Sequence, residues 1–245
     1  MDENYIKAAA LIKSAQSLIA FTGAGVSVES GIPSFRGENG IWNKYDPQCL
    51  ELDYFFSQPK DAWIVIKEIF YDFFGAASPN KAHEVLAQME KEGMLQCVVT
   101  QNIDNLHQEA GSREVYEFHG NSQKMICTQC GKTYWPQEVD LNNLPPLCSD
   151  DRSILKPDFV FFGEGIPEVA YQKSFEAARN ADVVLVIGTT GEVMPASMIP
   201  MEAKRNGATI IEINTETSNY SNQITDIFLR GAAGEVLAKL GKMIF

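Results

Sequence analysis

A short apolar run that ends in two closely spaced glycines is the feature that most restricts how this chain can fold. Residues 18–21 form the run, and Gly23 and Gly25 follow it. A continuous apolar run of this length is typical of a buried parallel strand. Glycines directly after such a strand permit a tight turn and let a phosphate approach the backbone closely. The segment therefore predicts a strand that leads into either a nucleotide-binding turn or a plain strand-to-helix turn.

Strand-like and helix-like segments alternate along most of the chain. Apolar runs at residues 97–100, 183–187 and 209–213 are typical of buried strands, and helical patterns lie between them. The clearest helix is expected to begin at Ser78, as its N-cap, with Pro79 in the first helical position. Strands that alternate with helices predict a doubly wound, parallel α/β sheet of the Rossmann type.

Two stretches interrupt this alternation and predict a smaller second lobe. Residues 38–75 are rich in aromatic side chains, and residues 121–158 contain clustered cysteines and prolines. We expect the first to form a helical module and the second a zinc-ribbon-like module. The Rossmann-like domain would then consist of residues 1–37, 76–120 and 159–245.

The balance of charge limits the classes of partner. The chain has 20 Lys and Arg against 32 Asp and Glu, a formal net charge of −12. This argues against nonspecific nucleic-acid binding, whose affinity comes largely from cations that neutralise phosphates. An acidic surface either serves solubility alone or also suits basic, lysine-rich peptide substrates. No apolar run reaches the ~20 residues that span a bilayer, and no signal-peptide pattern is present, so we expect a cytoplasmic protein without a membrane partner.

Polar residues follow a second predicted strand at its carboxyl end. Gln101, Asn102 and Asp104 come directly after the run that ends at Thr100. Ligands of doubly wound sheets bind beyond the carboxyl ends of the strands, so these side chains would reach the same crevice as the glycine turn. By itself, however, an Asn-x-Asp sequence is more often a helix cap or a turn.

Taken together and in this order, the motifs resemble those of the sirtuin (Sir2) family of NAD-dependent protein deacylases. They are Gly-Ala-Gly-x-Ser at 23–27, Ser-Gly-Ile-Pro-x-Phe-Arg-Gly at 30–37, Gln-Asn-Ile-Asp-Asn-Leu-His at 101–107, and His119-Gly120. The resemblance covers nearly the whole chain. One departure is Ser34, where many members of the family have Asp.

The resemblance implies that NAD is bound and consumed as a co-substrate. The glycine turn would hold the pyrophosphate, Phe35 would shield the reacting ribose, Arg36 would meet phosphate, and turns after the later strands would contact ribose and adenine. The implied cofactor residues are Gly23, Ala24, Gly25, Ser27, Phe35, Arg36, Gln101, Asn102, Ile103, Asp104, Gly188, Thr189, Thr190, Asn214, Thr215, Glu216 and Ala232.

The same resemblance implies a catalytic group of His119, Asn102 and Asp104. His119 would be the general base, a role that suits imidazole because it titrates near neutral pH; His83 and His107 would be structural. In the implied reaction the acetyl-lysine carbonyl oxygen attacks the ribose carbon that nicotinamide leaves, and His119 removes a proton from a ribose hydroxyl. The products would be free lysine, nicotinamide and O-acetyl-ADP-ribose.

Two loops would hold an acetyl-lysine protein or peptide in extended form. The implied substrate contacts are Val160, Phe162, Gly163, Glu164, Glu192 and Val193. Glu192 either favours basic residues near the target lysine or is only a solvated charge. Residues 61–69 lack the Tyr-x-x-Arg of family members that remove acidic acyl groups, so we expect acetyl groups and longer apolar acyl groups to be preferred.

Clustered cysteines predict a structural metal site. The chain has five cysteines, and an odd number without a signal peptide argues against a disulfide framework. Cys127 and Cys130 form a Cys-x-x-Cys pair whose spacing suits zinc. By resemblance, the second pair is Cys148 and Asp151, so three thiolates and one carboxylate would bind the metal. The alternative is a metal-free knuckle held by packing.

Other functions remain open at this stage. Mono-ADP-ribosylation, NAD hydrolysis and removal of longer acyl chains would use the same cofactor pocket, and only their products distinguish them. An inactive NAD-binding module is disfavoured by the intact Asn102, Asp104 and His119. A dehydrogenase is disfavoured because Val28 replaces the third glycine of the dinucleotide fingerprint. The oligomeric state is open, with a monomer expected.

Overall fold

A six-stranded parallel sheet is the centre of the computed structural model, which describes residues 3–35, 40–73 and 77–245. The helices are α1 (Glu3–Ser14), α2 (Leu52–Ser57), α3 (Pro59–Ile66), α4 (Lys81–Lys91), α5 (Leu106–Glu109), α6 (Glu168–Asn180), α7 (Met198–Arg205) and α8 (Ala233–Ile244). The strands are β1 (Leu18–Thr22), β2 (Leu95–Thr100), β3 (Val115–Glu117), β4 (Gly120–Cys127), β5 (Thr133–Tyr134), β6 (Leu155–Phe159), β7 (Val183–Ile187), β8 (Thr209–Asn214) and β9 (Ile227–Arg230). Within the described ranges, no helix is both long and apolar enough to cross a bilayer.

The large sheet has the strand order β3-β2-β1-β7-β8-β9. Its central strand β1 pairs in parallel with β2 and β7, so that Leu18 lies opposite both Leu95 and Val183. The strand order reverses between β1 and β7, and this switch leaves a crevice beyond the carboxyl ends of both strands. The doubly wound α/β class predicted from the sequence is therefore confirmed.

Helices cover both faces of this sheet. Leu18 and Ala20 of β1 pack with α1, α4 and α8 on one face, whereas Ile19 and Phe21 pack with α6 and α7 on the other. A strand that is buried on both faces must be apolar at every position, which explains the uninterrupted run. The sequence-based prediction missed α6, because that helix buries little more than Phe175 and Ala178 and so has a weak apolar pattern.

The smaller lobe combines α2 and α3 with a three-stranded antiparallel sheet of order β5-β4-β6. The helices and the small sheet share one apolar core, which includes Trp63, Met125 and Phe159. The Trp63 Nε1–H donates to the Leu155 carbonyl at 2.9 Å and so fastens α3 to β6. The residue boundaries between the two lobes stay a prediction.

The start of α4 differs from the prediction. The helix begins at Lys81, because the Asn80 side chain accepts a backbone N–H of the first turn at 2.8 Å, while His83 Nδ1 accepts the Asn80 N–H at 3.2 Å. Ser78 is exposed and lies before this cap. Asn80 Nδ2 also donates to the Val26 carbonyl at 2.8 Å, which ties α4 to the segment after β1. This long-range contact favours Asn80 over Ser78 as the N-cap of α4. Local sequence patterns do not reveal a contact with a residue so far away.

Candidate active site

A cleft of about 600 Å³ lies where the carboxyl ends of β1, β2, β7 and β8 face the small lobe. Most residues predicted from the sequence line it. From the predicted cofactor set these are Gly23, Ala24, Gly25, Phe35, Gln101, Asn102, Ile103, Gly188, Thr189, Thr190, Asn214, Thr215, Glu216 and Ala232. From the predicted base and substrate contacts they are His119, Val160, Phe162, Gly163, Glu164 and Val193.

Gly23 and Gly25 allow two backbone turns to pack closely together. A Cβ at Gly25 would lie 2.6 Å from the Gly188 Cα, and one at Gly23 would lie 2.9 Å from the Gly188 carbonyl oxygen. The Gly25 N–H donates to that same oxygen at 2.8 Å. Gly188 has φ +61°, a left-handed conformation that favours glycine. The sequence interpretation explained these glycines by phosphate approach, but the contact between the turns after β1 and β7 already requires them.

Ser27, Asn102 and Asp104 form a hydrogen-bonded cluster at the wall of the cleft. The Ser27 hydroxyl donates to Asp104 Oδ2 at 2.7 Å, and Asn102 Nδ2 donates to Ser27 Oγ at 3.1 Å. Asp104 Oδ1 accepts the Leu106 N–H at 3.1 Å. Burial raises the pKa of Asp104, while the hydrogen bonds from Ser27 and Leu106 act in the opposite direction. The cluster fixes the orientation of the Asn102 amide, which lines the cleft.

His119 has a defined tautomer. Its Nδ1 lies 3.0 Å from the Gln101 carbonyl oxygen. Because a carbonyl oxygen can only accept, Nδ1 carries the hydrogen and the lone pair is on Nε2. Burial lowers the pKa of His119, and the hydrogen bond with Gln101 acts in the opposite direction. The imidazole is therefore neutral at pH 7 and can accept a proton at Nε2.

A buried polar chain connects His107 with Asn102. His107 Nε2 lies 2.9 Å from Thr22 Oγ1, which lies 2.9 Å from Thr100 Oγ1, and the Asn102 N–H donates to Thr100 Oγ1 at 3.0 Å. The His83 ring packs against His107 with a centroid distance of 4.8 Å. Burial lowers the pKa of His83 to about 4 and that of His107 well below the usual range. Both imidazoles are thus neutral and buried beneath the cleft.

The turn after β7 is joined to the strand ends on both sides. Gln101 Nε2 donates to Thr189 Oγ1 at 3.1 Å, and Asn214 Nδ2 donates to the Thr189 carbonyl at 3.0 Å. Farther along, the Arg230 guanidinium lies 3.2 Å from Glu216 Oε2. These bonds hold the carboxyl ends of β2, β7 and β8 together as one continuous wall of the cleft.

The loop after β6 forms the facing wall. The Val160 N–H donates to the His119 carbonyl at 2.8 Å, so this loop is anchored beside the predicted base. Glu164 Oε2 accepts the Phe161 N–H at 2.7 Å and lies 3.0 Å from Lys156 Nζ. The Glu164 carboxylate therefore holds the shape of the loop, in addition to lining the cleft.

Three of the predicted NAD and substrate residues that the structure describes are not among those that line the cleft. Ser27 and Asp104 lie behind Asn102, Glu192 is exposed outside the cleft, and Arg36 falls outside the described residues. Lining residues that the sequence interpretation did not assign include Glu29, Trp42, Leu50, Phe70, Phe159 and Met194. Most of these are apolar residues of the small lobe, and aromatic enrichment in residues 38–75 was the one signal that pointed to them.

Cys127, Cys130, Cys148 and Asp151 meet at one end of the small sheet, with their ligand atoms all within 4.8 Å of one another. Cys130 Sγ lies 3.8 Å from Cys148 Sγ, and Cys127 Sγ lies 3.4 Å from Asp151 Oδ1. Tetrahedral zinc with Zn–S bonds of ~2.3 Å separates two sulfurs by about 3.8 Å, so the arrangement fits zinc. The hydrogen bond that Asp151 accepts from the Ser153 N–H lowers the pKa of its carboxyl group to about 2.

Comparisons with known proteins agree on one family. The model of the Sir2 family matches residues 23–195. A protein from Pyrococcus furiosus, called an NAD-dependent protein deacylase, is 46% identical over 91% of this chain and 90% of its own length. A protein of the same description from Aeropyrum pernix is 42% identical over 96% of both chains. A mutant Sir2 homologue solved as an ADP-ribose complex matches with a TM-score of 0.93 and 38% identity, covering 100% of this chain and 96% of that one. A Sir2 structure bound to acetylated peptide matches with a TM-score of 0.90 and 31% identity, over 99% and 98% of the two chains.

Proposed function

The chain belongs to the Sir2 family, and on this premise we propose that it is an NAD-dependent protein-lysine deacetylase. The observation that carries the proposal is a neutral His119, with its lone pair on Nε2, in the same cleft as Asn102 and the glycine turn. The reaction would consume one water, transfer the acyl group of acetyl-lysine to ADP-ribose, and release nicotinamide and free lysine.

The cleft has features that suit NAD. It is continuous from the turn after β1, with Gly23 and Ala24, to Asn214 and Ala232 at the far end of the wall. Its volume falls within the range of about 300–1,000 Å³ that is usual for ligand sites. The cofactor roles given above to the strand-end residues are thus our proposal for this cleft. When bound, NAD would supply the ribose carbon that accepts the acyl oxygen.

Each catalytic residue has a role that its contacts support. We assign proton removal to Nε2 of His119, because the Gln101 carbonyl holds the Nδ1 hydrogen. Asn102 would orient the ribose side of the cofactor through an amide fixed by Ser27 and Asp104. Asp104 lies behind that amide, so we assign it a positioning role in place of direct contact. Most of the rate acceleration would then come from positioning and from charge stabilisation in a largely buried cleft.

The charges of the cleft favour a neutral acyl group. Among its lining residues in the described ranges there is no lysine or arginine, whereas Glu29, Glu164 and Glu216 are present. A carboxylate on the acyl group would find no lysine or arginine to pair with among these described residues. The small lobe contributes Leu50, Phe70 and other apolar side chains to the cleft. We therefore propose acetyl and longer apolar acyl-lysines as substrates.

The cysteine cluster is proposed to hold a structural zinc ion through Cys127, Cys130, Cys148 and Asp151. The distances between the donor atoms fit a tetrahedral ion, and the N–H groups of residues 129 and 130 each lie 3.4 Å from Cys127 Sγ, where they would stabilise a thiolate. The cluster belongs to the small sheet, apart from the residues that line the cleft. Zinc would accordingly stabilise the lobe and take no part in the chemistry.

Mass spectrometry of an acetyl-lysine peptide incubated with the protein, with and without NAD, tests the proposal. Loss of acetyl that requires NAD, together with nicotinamide and O-acetyl-ADP-ribose, is the expected result. Release of nicotinamide without loss of acetyl would instead favour mono-ADP-ribosylation or NAD hydrolysis in the same cleft. Longer acyl groups on the same peptide test the breadth of the acyl preference. A cytoplasmic location, a monomeric state and the absence of direct nucleic-acid contacts stay predictions from the sequence.

A further inference from the structure

Three exposed methionines lie on the outer face of α7 and in the turn before it. Met194, Met198 and Met201 are 63%, 40% and 41% exposed, and we call them the methionine row. Met198 and Met201 are three residues apart in α7 and so lie on one helical face, and Met194 lies in the turn before the helix. The Ser197 N–H donates to the Val193 carbonyl at 2.9 Å and closes the turn that contains Met194.

The methionine row does not belong to the core of the large lobe. On the opposite side of α7, Ile199 and Ala203 are fully buried among the apolar residues of that sheet face. The Ser197 hydroxyl donates to Met194 Sδ at 3.0 Å, which holds that side chain against the start of α7. A single exposed apolar residue needs no explanation, but a contiguous exposed row is typical of an interaction surface.

The methionine row is continuous with the proposed substrate site. Met194 lines the cleft next to Val193, and Phe162 on the facing wall is 47% exposed at the same cleft. From Met198 to Met201 the helix rises by about 4.5 Å, the length of one to two residues of extended chain. A peptide that leaves the cleft beside Met194 would next pass Met198 and Met201.

We propose that the methionine row binds the part of the substrate polypeptide that flanks the acyl-lysine, and that it selects apolar side chains there. The inference rests on the proposed function, because it requires the cleft to receive an acyl-lysine peptide. Methionine side chains are flexible and polarizable and so adapt to partners of different shape. The row would favour several apolar residues over polar ones without demanding a strict sequence.

Acetyl-lysine peptides that differ only in one flank test this proposal. One peptide carries leucines and its partner carries glutamines, first on the N-terminal side of the lysine and then on the C-terminal side. We expect kcat/KM to be about tenfold higher for leucine on one of the two sides, equivalent to about 1.4 kcal/mol. The double variant Met198→Gln/Met201→Gln should lose this preference.

Two controls distinguish a loss of flank recognition from a general loss of activity in the double variant. A blocked acetyl-lysine without flanking residues should be turned over equally by the wild type and by Met198→Gln/Met201→Gln. The variant Ile6→Gln, which removes an apolar side chain on α1 that is 50% exposed, should keep the leucine preference. Equal kcat/KM for leucine and glutamine on both sides, or a preference that survives the double substitution, would overturn the proposal.

Failure of the two proposals can be distinguished. If no acetylated peptide is turned over, the proposed function fails, and fluorescence anisotropy of the same labelled peptides still tests whether the row binds leucine-flanked chains. Sedimentation at several protein concentrations tests whether a second copy of this chain covers the methionine row instead. Self-association that Met198→Gln/Met201→Gln abolishes, with the peptide preference unchanged, would also overturn the inference.

Discussion

At the scale of single residues, the three histidines have different roles because the surroundings of each set its protonation and its access to the cleft. His83, His107 and His119 all have a pKa lowered by burial. Of the three, His119 alone lines the cleft, and its Nδ1 hydrogen is held by a carbonyl. The number of histidines in the sequence does not distinguish a histidine that lines the cleft from one buried beneath it.

Replacing His119 by alanine should reduce deacetylation by about 10²–10⁴-fold, because a general base contributes rate enhancements of that size. The unfolding temperature should change little. Since burial lowers the pKa of His119, kcat/KM of the wild type should stay on its plateau down to a pH below the usual 6.5 of histidine and fall only below it. Steady-state kinetics with an acetylated peptide between pH 5 and 8 measure the loss of activity and the pH profile, and thermal unfolding measures the stability. Normal turnover by His119→Ala would rule out the assigned base.

Gly25→Ala should destabilise the protein, because the new Cβ would lie 2.6 Å from the Gly188 Cα. Overpacking of this kind costs about 1–3 kcal/mol. Gly165→Ala is the matched control, since its Cβ would meet no atom within 4 Å. Urea denaturation measures the free energy of unfolding of both variants. Equal stability of the two would contradict the tight packing of the turns after β1 and β7.

At the scale of elements, strands were predicted better than helix ends. A strand buried on both faces leaves a continuous apolar run, as in β7, whose five residues are all buried. Helix ends depend on caps that compete within a few residues, as Ser78 and Asn80 do before α4. The competition is decided by the hydrogen bond from Asn80 to Val26, a residue far away in the sequence.

Asn80→Ala should lower the free energy of unfolding by about 1–2 kcal/mol, the usual cost of losing a helix N-cap. The loss of its bonds to the Val26 carbonyl and to Ser30 Oγ at 2.9 Å adds to this cost. Ser78→Ala, at the cap that the sequence suggested, should change stability by less than about 0.5 kcal/mol because Ser78 is exposed. Chemical denaturation of the two variants side by side measures the difference, and the reverse order would contradict the assigned cap.

At the scale of the whole molecule, the large sheet and the small lobe share the cleft between them. Phe159 and Leu50 of the small lobe line the cleft across from Gly188 and Asn214 of the sheet. The small lobe has its own apolar core, and the cysteine cluster lies at the end of its sheet. Loss of metal should therefore weaken this lobe first.

Metal analysis should find zinc bound to the protein, and Asp151 should determine how tightly. Asp151→Cys is expected to bind zinc more strongly, because a fourth thiolate completes the Cys₄ set that structural zinc sites use, and Asp151→Ala more weakly. Asp150→Ala is the control, since Asp150 is exposed and its carboxylate pairs with Lys132 at 2.8 Å. Competition with a coloured chelator gives the affinities. Unchanged zinc affinity in Asp151→Ala would exclude Asp151 as a ligand.

The sequence by itself determined the fold class and predicted which segments carry the chemistry. Local patterns are sufficient for this, because a buried strand must be apolar and a turn at its end needs glycine, as at residues 18–25. The motifs around Asn102 and His119 showed the family resemblance because each is a short run of adjacent residues that can be recognised without the fold. The spacing of Cys127 and Cys130 likewise predicted a metal site without reference to the rest of the chain.

Only the tertiary structure decided which of these residues meet and what each contact does. Asp104 lies behind Asn102, and Glu164 accepts a hydrogen bond from its own loop. Glu192 lies outside the cleft. The tertiary structure also brought Met194, which carries no local signal, to the mouth of the cleft. These outcomes depend on the pairing of strands and the packing of lobes distant in sequence, and such contacts leave no periodic pattern in any single segment.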